Sequence, residues 1–78
     1  MKHLITAAVL ALLAGPAAAH QCPADMAAVD AALKTASLSA ADLARVKQLR
    51  AEGEQLHRAG SHGASVRALA EAKALLGL

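Results

Sequence analysis

The sequence predicts an all-α protein: a short three-helix chain whose last two helices form an antiparallel hairpin, preceded by the helix of a signal peptide. Three observations carry this. Apolar residues recur at three- and four-residue spacing in three separate segments. No segment shows sustained period-two alternation, so strands are not expected. The residues between the segments, Pro23, Ser39, Gly60, Ser61 and Gly77, are those that start and stop helices.

The first segment has the three-part layout of an export signal. Lys2 and His3 give a short positive start, and an apolar run from Leu4 to Ala14 follows, broken only by Thr6. Gly15-Pro16 ends the helix, and Ala17-Ala18-Ala19 supplies the small side chains that a signal peptidase pocket admits. Residues 1–19 are therefore read as a cleavable secretory signal, with the cut between Ala19 and His20 and residues 20–78 as the small helical domain. The apolar run is too short to cross about 30 Å of hydrocarbon at 1.5 Å per residue, so no stable membrane span is expected after cleavage. Cys22 is preceded by His20-Gln21 rather than by a small residue, which argues against lipid attachment. The layout is bacterial in style and points to a periplasmic or secreted protein.

The domain divides into helices at about 23–36, 40–59 and 62–76. Pro23 suits a first helical position, where its missing N–H would be unpaired anyway, and Asp25 lies near the positive end of the helix dipole. Met26, Val29 and Leu33 form the first apolar stripe. Ser39 reads as the N-cap of the second helix, with Asp42 completing a shortened capping box. Its stripe is Leu43, Val46, Leu49, Gly53 and Leu56, with Arg50–Glu54 and Glu54–Arg58 pairs on the other faces. Gly60 is the expected C-cap. Ser61 is the expected cap of the third helix, whose stripe is Val66, Leu69, Ala72 and Leu76, with Gly77 closing it. So short a connection makes the second and third helices antiparallel neighbours.

Gly53, Leu56, Gly60, Ser65, Leu69 and Ala72 lie at the spacing of a helix–turn–helix repeat. On these residues the stretch 46–78 resembles a single tetratricopeptide repeat. The resemblance implies that Gly53 lets the next helix approach closely and that Gly53, Leu56, Val66, Leu69 and Ala72 hold the hairpin together. It would also explain a mid-helix glycine that otherwise costs about 1 kcal/mol against alanine. It implies peptide or protein binding rather than catalysis. The aromatic positions of the repeat carry leucine or histidine here, Gly77 stands in place of its terminal proline, and only one copy exists.

Composition narrows the function classes. The net charge is only +2, and both signs are mixed along the helices. Aromatic residues make up 0% of the chain, so no side chain can stack on bases, and a nucleic-acid role is not expected. So small a core makes a lone monomer marginal, and dimerisation, a partner or a metal would add stability. A chain of this size without aromatic residues also has little room for a pocket of about 300 Å³. It shows no catalytic constellation and no phosphate-cradling glycine loop, so it is read as having no enzymatic activity and no organic cofactor.

The start of the domain carries the chemistry. Cleavage after Ala19 would place a free α-amine, the His20 imidazole and the Cys22 thiol within three residues. This set favours copper, with zinc or nickel as alternatives. His57 and His62, near the hairpin turn, could complete the site if the fold brings them close. Cys22 is the sole cysteine. In an oxidising compartment that suggests a reactive thiol at a helix N-terminus, a metal bond or a Cys22–Cys22 disulfide dimer. Two functions follow: an exported helical interaction module that docks an unknown protein partner or itself, or a small periplasmic copper- or zinc-binding protein. Mass spectrometry of the exported protein is expected to find a chain beginning at His20; any other start removes the amine–imidazole chelate.

Overall fold

The computed structural model describes residues 20–78, which form three helices and, among the described residues, no strand. Helix α1 covers 20–33, α2 is Ala40–Arg58 and α3 is His62–Leu75. The all-α class is thus observed directly. The expected signal peptide with its helix, and the Ala19 side of the expected cleavage junction, lie outside the described residues. No helix among the described residues is long and apolar enough to cross a membrane.

Among the described residues, helix α1 is formed before the expected start at 23 and ends before the expected end at 36. His20 is already helical, so Pro23 lies inside the helix rather than at its first position. The other end closes early. The Lys34 and Thr35 amides reach back only three residues, to Ala31 and Ala32, in the tightened geometry of a final turn. Thr35 and Ser37 are weak helix formers and do not carry it further.

Helix α2 begins and ends as its residues dictate. Ser39 is extended, and its hydroxyl accepts the Asp42 amide at 3.1 Å. At the other end Gly60 takes φ +82°, a conformation that a Cβ would disfavour. The Gly60 amide then reaches the His57 carbonyl at 3.1 Å, and the Ser61 amide reaches that of Leu56 at 2.9 Å. Gly77 closes α3 in the same way at φ +77°, with Gly77 and Leu78 bonded to Ala74 and Lys73. Ser61 departs from expectation, because its hydroxyl makes no capping bond. Its backbone is already committed on both sides. Its amide closes α2, and its carbonyl accepts the Ser65 amide at 3.0 Å, which leaves ψ at 63° rather than extended.

Val29 of α1, Val46 and Leu49 of α2, and Ala68 and Ala72 of α3 form the core, with Leu33, Leu38, Leu56, Leu75 and Leu76 packed around it. Leu69 is also buried. Each fully buried Val or Leu contributes roughly 1.5–3 kcal/mol. The stripes are rotated slightly from the sequence expectation. Leu43, Leu56 and Val66 are half-buried, whereas Ser65 and Ala68 are buried. The reason is a close helix contact. A Cβ on Gly53 would stand 2.7 Å from Leu69 Cγ, and the buried Ser65 hydroxyl donates to the Gly53 carbonyl at 2.6 Å. Helices this close need small residues between them, and Ser65 and Ala68 supply them.

Ion pairs tie α1 to the hairpin. Arg50 grips Asp30 through Nε at 2.9 Å and Nη2 at 3.1 Å, and its Nη1 reaches Glu54 at 2.9 Å. Asp25, expected as a simple dipole partner, is buried instead. It accepts from Lys73 Nζ at 3.1 Å and from Gln21 at 3.2 Å. The Arg50 guanidinium, by hydrogen bond and by charge, holds the Asp30 carboxyl below its usual 3.8.

Two outcomes follow. Gly53→Ala should destabilise the protein in urea melts, because overpacking against a fully buried leucine costs about 1–3 kcal/mol and outweighs a helix-propensity gain of about 1 kcal/mol. Gly53→Leu should cost more, and unchanged thermal stability of that variant would refute close packing here. The lowered Asp30 pKa contributes stability that is present above the unfolded carboxyl range and is lost as pH falls through the folded value. Asp30 is half exposed, so the effect is small. Asp30→Asn should flatten the acid limb of the stability profile below about pH 4.

Candidate metal centre

Cys22 reaches the hairpin because it continues the buried face of α1 by one turn. Residues 22, 25 and 29 follow helical spacing, and all three are buried. Cys22 is fully enclosed. His57 lies in the last turn of α2, and His62 is the first residue of α3. The glycine-closed turn between them folds the two rings toward each other. Their Nδ1 atoms are 3.2 Å apart, their centroids 5.0 Å apart and their planes inclined by 59°. Neutral rings share one hydrogen at that distance, so they hold opposite tautomers. The Cys22 thiol faces the His62 main-chain carbonyl, with Sγ 3.7 Å from the oxygen.

One ligand atom from each of Cys22, His57 and His62 falls within 4.8 Å of the other two. Two ligands about 2.0–2.1 Å from a tetrahedral ion stand about 3.3 Å apart, and the Nδ1 pair is already at that spacing. The donors are one thiolate-forming sulfur and two imidazoles. That set suits copper or zinc rather than calcium or magnesium, which take oxygen ligands.

His20, expected to pair with Cys22, is exposed and lies outside this group. Helical positions two apart point to nearly opposite sides, so a helical segment that buries Cys22 turns His20 outward. The same burial bears on an interchain disulfide, because Cys22 Sγ can meet a second chain only if α1 leaves its place. The hairpin residues divide: Gly53, Leu69 and Ala72 are buried, while Leu56 and Val66 are half-buried. The sequence reading missed the surroundings of the site, namely the His62 carbonyl and the Asp25–Lys73 pair one turn away. Their signal was the 22–25–29 spacing, which extends the stripe toward the N-terminus.

A second surface feature is an open groove of about 370 Å³ between α2 and α3. It is larger than composition suggested, because small Ala64 and Ala68 face Leu49 and Leu56 there. Arg45 and Glu71, also lining it, pair at 3.2 Å. No family model matches the chain, and neither does a curated protein or a solved structure.

Proposed function

We propose that this chain is a small exported metal-binding protein that holds one copper or zinc ion through Cys22, His57 and His62. The observation that carries the reading is the convergence of these three donors from three different helices within 4.8 Å. Export to an oxidising compartment fits it, because a buried, metal-bound thiolate is shielded from oxidation there. The ion would also tie α1 to both helices of the hairpin and so add stability to a small core.

An interaction module built on the tetratricopeptide-like hairpin is the second reading. The groove along α2 and α3 favours it. It needs no metal.

Equilibrium dialysis against Cu(I) and Zn(II) separates the two readings. The protein is expected to bind one ion per chain. Cys22→Ser, His57→Ala and His62→Ala should each weaken binding by more than the roughly 10–100-fold that loss of a ligand's hydrogen-bonding partner causes. Equal weak binding by the parent and Cys22→Ser would end the metal reading. The ion at a hundred times its Kd should stabilise the fold by about 2.7 kcal/mol, read as a rise in Tm that Cys22→Ser lacks.

A further inference from the structure

We propose that the ion is copper, held in a trigonal plane by the Cys22 thiolate and the Nδ1 atoms of His57 and His62, with the His62 main-chain carbonyl as a weak axial contact. The inference rests on the metal reading above and specifies its coordination.

The first argument is ligand count. A closed structural zinc site takes four protein ligands. Among the described residues the group holds three, none of them a carboxylate. The neighbouring acids are engaged elsewhere. Asp25 is bonded to Lys73 and Gln21, Asp30 to Arg50, and Glu54 to Arg50 and Arg58. Drawing any of them in would break an ion pair that fixes a helix.

The second argument is the carbonyl. Two imidazoles and one thiolate with a long, weak axial ligand, a backbone oxygen among those that serve, is an arrangement that copper adopts. The His62 oxygen lies 3.7 Å from Cys22 Sγ, on the side where the thiol proton now points. When copper binds, that proton leaves to solvent and the ion bonds the sulfur to one side of the sulfur–oxygen line, so that the oxygen lies off the ligand plane rather than in line with the sulfur. The hydrogen shared by the two rings leaves Nδ1 as well, with its ring taking the Nε2–H tautomer, so the imidazoles stay neutral. His62 thus contributes twice, through its ring and through its main chain. Opening the Nδ1 pair from 3.2 Å to about 3.5 Å satisfies a trigonal plane with metal–nitrogen bonds of about 2.0 Å.

The test is X-ray absorption at the copper edge of the full chain loaded anaerobically with one equivalent of Cu(I), with Zn(II) dialysis run in parallel. The expected copper shell is two nitrogens and one sulfur at bonding distance. Cys22→Ser should lose the sulfur, and His57→Gln and His62→Gln should each lose one nitrogen, with circular dichroism verifying that each variant is folded. Four ligands at bonding distance, or a copper shell without sulfur, overturns the copper assignment. Zinc bound through Cys22 and both histidines in that case leaves the metal reading standing. Failure of both ions to bind more tightly to the parent than to Cys22→Ser removes both proposals.

Discussion

The arrangement depends on the contact between the bare Cα of Gly53 and the side chain of Leu69. No Cβ fits between them, since one would meet Leu69 Cγ at 2.7 Å. The contact is reinforced one turn earlier on α3, where Ser65 gives its hydroxyl hydrogen to the Gly53 carbonyl at 2.6 Å. A buried hydroxyl without an acceptor would cost about 1–3 kcal/mol, so this bond also fixes the register of α3 against α2. Across the turn that joins these two helices, the His57 and His62 rings lie with their centroids 5.0 Å apart.

Much of this was legible in the sequence, and the reason is local. Helix existence follows from apolar spacing, the start of α2 from Ser39, and the ends of α2 and α3 from Gly60 and Gly77, each of which acts through its own backbone. The purpose of Gly53 was legible too, because a mid-helix glycine requires a neighbour that explains it. The start of α1 was less legible. Pro23 reads as a first helical position, yet the helix is already formed at His20. The meeting of Cys22 with His57 and His62 could be named from the sequence only as a possibility that depended on the fold. It joins residues 35 and 40 positions apart, and local spacing carries no information about which face of a hairpin a preceding helix will cover. The pairing of His20 with Cys22 rested on nearness in sequence, whereas two helical positions that far apart point to nearly opposite sides. Helicity separates them.

The docking of α1 uses unequal contacts. Val29 enters the core with Val46, Leu49, Ala68 and Ala72, and its burial favours the attachment. Among the ion pairs, exposure ranks their weight. Arg45–Glu71 is open to water on both sides, at 44% and 54%, and contributes little. Asp25 is only 9% exposed in its pair with Lys73, so loss of the lysine would leave a nearly buried carboxylate without its cation. Arg50 falls between these, and its planar fork engages Asp30 through two nitrogens while a third atom reaches Glu54. It therefore orients α1 on α2, whereas Lys73 sets α1 against α3.

These contacts leave Cys22 one turn beyond the Asp25–Lys73 pair, at the end of the molecule where α2 passes into α3. A thiol there is enclosed by protein but adjacent to two half-buried rings. The combination separates binding from reaction. An enclosed sulfur is poorly placed to meet another protein's thiol, whereas the two imidazoles beside it are half-buried. Because each donor comes from a different helix, the proposed centre can exist only when all three are docked, and an ion held there would oppose the departure of α1. Folding and metal affinity would then be one equilibrium. Weakening the Gly53–Leu69 contact should act on both, although that contact lies in the core and includes none of the three proposed ligands.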